Sequence, residues 1–278
     1  MNKVWLAVPA VLAVGLTACG SPSERDDAGA DNGELTTLRV GATPVPQGDV
    51  LEYIRDNLAE EAGLNLDIVE FTDYNQPNAA LVEGELDANY YQHRPFLEEY
   101  LEGNDEADLT YLEDVHLEAF GLYSAALEDV QDLPQGAEIG VPNDASNLAR
   151  ALLLLEEQDL LTLDEEAGEL ATEDDIAENP NDLDVRPLEA AQLPRSLEDL
   201  DAAVVNGNYA IETDLAADAN VLGFEETDDN PYANGLVVNT PDADDEDIQA
   251  LDELLHSDEV QDYMEETWDG VVIPVSSD

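Results

Sequence analysis

The segment NYYQHRPF, residues 89–96, concentrates side chains that are scarce elsewhere in the chain. Of 278 residues, three are histidine, eight are lysine or arginine, and 6% are aromatic. LDANYYQ (86–92) reads as a short strand, and RPFLEEYLEGN (94–104) as a helix with Pro95 near its first turn. On a strand ending near Gln92, Tyr91 and His93 project to one face and Tyr90 and Gln92 to the other. One aromatic ring and one imidazole can therefore share a wall. Tyr74, in the loop FTDYNQPN after another apolar run, can complete it. The same residue types can also fill a core, bind a metal or serve an active site. Tyr90, Phe96 and Tyr100 are expected in the core.

Outward from this segment, strand and helix patterns alternate. LRVGAT (38–43) and LDIVEFTD (66–73) read as strands around the helical VLEYIRDNLAEEAG (50–63), and PNAALVEGE (77–85) as a short helix. LTYLEDVHLEAFGLYSAAL (109–127) reads as two extended pieces passing between lobes. A second series follows: the strand AEIGVPND (137–144), the helix SNLARALLLLEEQDLL (146–161), and strands LDVRPLEA (183–190) and LDAAVVNGNYAI (200–211) around the short helix SLEDL. GLVVNT (235–240), one helix over 245–268 and VVIPV (271–275) close the chain. Alternating units with apolar strands predict an α/β protein with mainly parallel sheets, in two lobes around a cleft. The expected division is 36–122 plus 236–278 for one lobe and 123–235 for the other.

Composition excludes some functions. Sixty-eight acids against eight bases give a formal net charge of −60. Phosphate contacts need cations, so nucleic acid is not expected as a partner. Such charge repels itself at low salt, whereas at 1 M salt the screening length falls to roughly 3 Å. The acids are spread over the whole chain, which predicts adaptation to molar salt. Apolar residues make up 44%, enough for a packed core.

The N-terminus carries its own signal. One lysine, Lys3, precedes an apolar run from Val4 to Leu16, too short to span a membrane as a mature helix. The run ends in Leu16-Thr17-Ala18-Cys19, which resembles the lipoprotein signal-peptide box. The expectation is a signal peptide over 1–18, lipidation of Cys19, and a flexible tether over 19–35. Cys19 is the only cysteine, so no internal disulfide can form.

No nucleophile elbow, phosphate loop, dinucleotide fingerprint or zincin motif is present, so no enzyme activity and no cofactor are expected. His93, His116 and His256 are widely spaced. A metal-delivery protein using His93, His116 and carboxylates is the alternative reading. In VPNDASNLARALLLL, Asn143 and Asn147 sit at a strand-to-helix junction, with Ser146 or Asn147 as a possible cap and Arg150 in the first turn. A helix N-terminus with an arginine suits a carboxylate. Asn206 and Asn234 lie at apolar strand ends, where they can cap turns or hold a ligand's polar head.

Several long, ordered motifs resemble one family: VGATPVP (40–46), FTDYNQPNAAL (71–81), LDANYYQHRPFLEEY (86–100), VPNDASNLARALLLL (141–155), LEAAQLPRSLEDLDAAVVNGNYA (188–210) and NPYAN (230–234). They resemble the methionine-binding lipoproteins of the NlpA/MetQ type, substrate-binding components of methionine ABC importers, from about Leu38 to Pro274. The resemblance implies a type II periplasmic-binding-protein fold, two α/β lobes closing on a ligand. It implies an aromatic side-chain pocket at Tyr74, Tyr91 and His93. The amino-acid head group would fall on Asn147, Arg150, Asn206 and Asn234, with Asn143 nearby. It further implies a lipid-anchored, extracytoplasmic receptor for methionine, D-methionine or a methionine dipeptide, partnered by permease and ATPase subunits. The family commonly has Phe where Tyr91 stands and His-Ala where Gln47-Gly48 stand.

Overall fold

The computed structural model describes residues 35–275 except 169 and 269. The expected signal peptide, Cys19 and nearly all of the tether lie outside the described residues. Among the described residues, no helix is long and apolar enough to cross a membrane.

The chain starts with β1 (Thr36–Ala42), α1 (Asp49–Asn57), β2 (Leu64–Glu70), α2 (Pro77–Val82), β3 (Ala88–His93), α3 (Arg94–Gly103) and β4 (Leu109–Glu118). It then enters a second sheet through β5 (Gly121–Ser124), β6 (Glu138–Pro142) and α4 (Ala145–Glu157). A small hairpin, β7 (Thr162–Leu163) with β8 (Ile176–Glu178), precedes β9 (Asp184–Leu188), α5 (Leu193–Ser196) and β10 (Ala202–Val205). Next come α6 (Gly207–Glu212), α7 (Leu215–Asp218) and β11 (Asn220–Phe224). The chain returns to the first sheet with β12 (Asn234–Asn239), α8 (Glu246–Leu255), α9 (Asp258–Trp268) and β13 (Val272–Pro274).

The first sheet has the order β13-β4-β12-β3-β1-β2 and the second β11-β5-β10-β6-β9. Both are mixed rather than mainly parallel. In the first, β1 runs parallel to β2 and β3, while β12 is antiparallel to β3 and β4. In the second, β10, β6 and β9 are parallel and β5 is antiparallel to β10 and β11. The antiparallel pairings involve the strands next to the passages between sheets, where the chain reverses direction instead of making another helical crossover.

Those passages meet. The chain leaves the first sheet at Ala119-Phe120 and comes back after Phe224. Glu225 N–H donates to Phe120 O at 3.1 Å, and Phe120 N–H donates to Glu225 Oε1 at 3.0 Å.

Apolar periodicity explains the cores. In α1, Val50, Leu51 and Ile54 turn inward onto Val40 and Ala42 of β1. In α4, Leu148, Ala151, Leu152 and Leu155 cover Ile139 and Val141 of β6. On the outer helices, Tyr53 of α1 stacks on Tyr263 of α9 with centroids 4.3 Å apart, and Trp268 packs edge-on against Tyr263.

β3 is buried along its whole length because β1 and β12 flank it in the interior of its sheet. Its polar side chains therefore need partners inside. Asn89 Nδ2 donates to Asn78 Oδ1 at 2.9 Å, and Gln92 Nε2 donates to Asn89 Oδ1 at 2.9 Å. His93 ends the strand and caps α3, its Nδ1 accepting from Phe96 N–H at 3.2 Å.

Two expected elements differ. LDAAVVNGNYAI is not one strand: β10 ends at Val205 and α6 starts at Gly207, with Asn206 in an extended N-cap conformation. The region 245–268 is two helices, broken at His256-Ser257, where Ser257 Oγ donates to Leu254 O at 2.7 Å.

Candidate functional site

Between the sheets lies a cavity with about 340 Å³ of space between its lining atoms, part of it open to solvent. β3 brings Tyr91 and His93 to it, the loop after β2 brings Tyr74, and α4 brings Asn147 and Arg150. The β10–α6 junction supplies Asn206, and the start of β12 supplies Asn234. Asn143 is separate. It lines a neighbouring cavity, which shares Tyr74 and Phe96 with the first.

The aromatic part is a cluster of rings. Tyr74 lies 6.0 Å from Tyr91 and 5.7 Å from Phe96 by centroids, and Phe96 meets His93 edge-on at 6.1 Å. Phe96, expected in the core, is therefore part of this wall, whereas Tyr90 does sit in the core. Gln92 also reaches the cavity, although alternation puts it on the other face; it sits where the β12 register shifts, at Gly235–Leu236. Burial pushes the Tyr74 and Tyr91 hydroxyls well above their usual range, so both rings are neutral. Burial and the nearby Arg150 charge push His93 down to about 3, so its ring is neutral too.

The polar part is built from amides, Arg150 and one carboxylate, Glu118. Asn147 Oδ1 accepts from Asn206 Nδ2 at 3.0 Å and faces His93 Nε2 at 3.2 Å. Tyr74 Oη donates to Asn208 Oδ1 at 2.6 Å. Asn206 Oδ1 and Asn208 Nδ2 are buried and find no hydrogen-bond partner among the described residues. A buried acceptor and a buried donor thus remain open in one wall. Gly207 between them is needed for close approach: a Cβ there would lie 2.7 Å from Glu118 Cβ.

Arg150 is differently placed from the sequence reading. The helix cap is Asp144, which accepts from Asn147 N–H at 3.0 Å, so neither Ser146 nor Asn147 caps it. Arg150 falls in the second turn, because α4 begins at Ala145. The next N–H groups are also taken: Ala145 and Ser146 donate to the Glu99 carboxylate at 3.1 and 3.0 Å. The α4 N-terminus is thus not open to a ligand carboxylate. Arg150 lies between the rings of Phe120 and Tyr232, at 4.5 and 4.6 Å. Its Nε donates to Glu225 Oε2 at 2.9 Å and its Nη2 to Glu225 Oε1.

His93 and His116 do not form a metal pair. Both ring nitrogens of each engage the chain: His93 with Phe96 N–H and Asn147, His116 with Tyr90 Oη and Glu118. The group of possible metal ligands found among the described residues, Glu113, Asp252 and His256, contains neither.

Sequence reasoning did not single out Glu118, Gln92, Asn208 or Glu225. The two acids are hidden by the surrounding excess of acids, and Asn208 by its place in an apparent strand.

Two mixed α/β sheets meeting on a small aromatic and amide-lined cavity define a solute-binding protein of the type II periplasmic-binding-protein fold. The chain belongs to the NlpA lipoprotein family, which matches residues 38–276. It is 36% identical to the methionine-binding lipoprotein MetQ of Bacillus subtilis (strain 168), over 99% of this chain and 100% of that one. Two solved structures share the fold. A nutrient binding protein from Burkholderia cenocepacia bound to methionine has a TM-score of 0.81 and 38% identity, over 85% of this chain and 99% of that one. An ABC transporter periplasmic substrate-binding protein from Coxiella burnetii has a TM-score of 0.81 and 37% identity, over 86% and 100%. The chain is a binding protein and not an enzyme.

Proposed function

We propose that this protein is a lipid-anchored receptor that captures methionine or a close relative and hands it to an ABC importer. One observation carries the ligand class: a ring cluster adjoins a wall in which a buried acceptor, Asn206 Oδ1, and a buried donor, Asn208 Nδ2, lack partners among the described residues. An α-amino acid supplies the missing N–H and oxygen together, and a thioether suits aromatic walls, at about 0.3–1.5 kcal/mol per contact. The methionine named for the Bacillus and Burkholderia relatives supports this choice. Tyr74, Tyr91 and His93 hold the side chain, and Asn147, Arg150, Asn206 and Asn234 surround the head group.

The anchor in this reading is a lipid on Cys19, added as a signal peptide over 1–18 is removed, with 19–35 as the tether. The lobes divide close to the expected 36–122 plus 236–278 and 123–235, but with Gly121 and Leu122 in the second lobe and Asn234 and Gly235 in the first, following the sheets that β5 and β12 join. The acid excess is an adaptation to molar salt, which predicts loss of far-UV circular dichroism in buffer of about 10 mM salt, where the screening length is roughly 30 Å.

The test is thermal melting of residues 20–278 in molar KCl with a panel of amino acids. Ligand at a hundred times Kd stabilises by about 2.7 kcal/mol. A rise with L-methionine and none with leucine is the expected outcome. No rise, in protein shown by mass spectrometry to carry no co-purified ligand, would remove methionine from the reading.

A further inference from the structure

Outside the cavity, the end of α8 holds a group of side chains that the receptor reading does not use. Asp252 and His256 are four positions apart there and share one face of the helix. α8 packs on β4, and Glu113 comes from that strand. The register of β4 against β12 shifts on both sides of the Asp114–Gly235 pair, and bulges re-aim side chains. Alternation fails at this point, so Glu113 and Asp114 are both exposed. A Glu113 carboxylate oxygen, an Asp252 carboxylate oxygen and a His256 ring nitrogen lie within 4.8 Å of one another.

Two features of the group call for a cation. Asp252 is 8% exposed, and its Oδ1 is buried with no hydrogen-bond partner among the described residues. A buried carboxylate oxygen is costly unless something positive meets it. In addition, both ring nitrogens of His256 face backbone carbonyls: Nδ1 lies 2.7 Å from Asp252 O, and Nε2 lies 3.1 Å from Asp114 O. Carbonyls only accept, and a neutral ring has one hydrogen to give, so one nitrogen would then meet oxygen lone pair to lone pair. A second proton on His256 would satisfy the ring and pair it with Asp252 Oδ2, 4.0 Å away. It would still leave Oδ1 open, and two carboxylates would share one positive charge. Arg94 does not help Glu113, since it reaches Asp114 instead, at 4.0 Å. A divalent cation balances both carboxylates, takes the lone pair of the bare nitrogen and meets Oδ1.

We propose that Glu113, Asp252 and His256 bind one divalent transition-metal ion, which clamps the end of α8 to the β4 bulge. One imidazole with two carboxylates suits Zn²⁺ or Mn²⁺ better than Mg²⁺ or Ca²⁺, which favour all-oxygen sets. Ligand atoms roughly 2.0–2.2 Å from a metal stand about 3–4.4 Å from one another, so a small movement of the exposed Glu113 completes the set. Nδ1–H on Asp252 O is the backbone support that a ligating histidine uses, and it leaves Nε2 for the metal. None of the three residues lines the ligand cavity, so the site stands apart from the receptor reading.

The experiment is titration of the purified protein, stripped with EDTA and returned to molar KCl, with Zn²⁺ and with Mn²⁺. Wild type, His256→Gln, Asp252→Asn and Glu113→Gln are compared, with Mg²⁺ as the control ion. Wild type is expected to bind one Zn²⁺ or Mn²⁺ per chain in a phase distinct from weak uptake by its acidic surface, and to melt higher with metal than with EDTA. Pulsed electron paramagnetic resonance of the Mn²⁺ form should show coupling to one imidazole nitrogen. His256→Gln should remove that coupling and weaken the one-ion phase by at least about 100-fold, since even the outer partners of metal ligands are worth roughly 10–100-fold. Asp252→Asn should weaken it by a similar factor, and Glu113→Gln by a smaller one. Mg²⁺ should show surface uptake alone. Wild type without a one-ion phase, or variants that take up metal as wild type does, would overturn the proposal and leave the acidic surface as the binder. Imidazole coupling that persists in His256→Gln would place the ion elsewhere and overturn it as well. Mg²⁺ held as tightly as Mn²⁺ would overturn the transition-metal assignment. If Asp252→Asn or His256→Gln fails to fold, Glu113→Gln, at an exposed position, decides by the same loss of the one-ion phase.

Discussion

Two strand-to-helix junctions flank the cavity, and they treat their polar groups in opposite ways. At the start of α4 the chain fills its own helix end: Asp144 takes Asn147 N–H, and Glu99 takes Ala145 and Ser146. At the start of α6, Asn206 makes no side-chain cap, and Asn206 Oδ1 and Asn208 Nδ2 have no partner among the described residues. A helix N-terminus offers its N–H groups to a ligand only when the chain has not already used them. The closed junction holds structure, and the open one faces the cavity.

The largest expected effect is at Arg150, which stands behind the closed junction and beside the open one. Arg150→Ala leaves Glu225 buried without its cation. Stability should fall by about 3–5 kcal/mol, read by urea denaturation in molar KCl, with methionine binding lost. Asn206→Ala comes next. It removes the open acceptor and one hydrogen bond to Asn147, so affinity should drop roughly 10-fold or more while stability falls by only about 1 kcal/mol. A variant that is less stable but binds normally would break the comparison from the α6 side.

Asp144→Ala tests the other side. Loss of a cap costs about 0.5–2 kcal/mol, and affinity should stay within about threefold of wild type. An affinity loss matching that of Asn206→Ala would show that the two junctions do not divide the work.

The smallest effect on binding is expected from pH. His93 is pushed down from 6.5 to about 3. Below pH 6.5 the unfolded chain binds a proton that the folded ring refuses until about pH 3, so this residue's contribution to stability is lost as pH falls through that window. The melting temperature of His93→Gln should therefore decline less than that of wild type between pH 6.5 and 4. Methionine affinity of wild type should be flat between pH 5 and 8 as far as His93 is concerned.

Much of the fold is legible wherever apolar spacing is strong. The α4 helix declares itself through LARALLLL, and β1 and β6 through short apolar runs. β11 is half-exposed along its length and gives no such signal. The α6 helix is hidden because VVNGNYAI continues the apolar character of β10, and only the Asn206-Gly207 pair marks the turn. At the site, Tyr74, Tyr91 and His93 stand out because aromatics and imidazoles are rare here. Glu118 and Glu225 do not, since any acid is unremarkable among sixty-eight. Their roles come from burial, which no local pattern encodes. Arg150 shows the reverse: its importance is readable, but its partner, Glu225, is 75 positions away.

The placement of the aromatic rings has a spectroscopic consequence. The chain has two tryptophans; Trp5 lies outside the described residues, and Trp268 packs on Tyr263 of an outer helix. The cavity wall contains tyrosine but no tryptophan. Tryptophan emission from the 20–278 fragment therefore follows the unfolding of α9 and its neighbours, while ultraviolet difference absorbance near the tyrosine bands follows occupancy of the cavity. One sample can thus report folding and binding in separate optical channels, without a label.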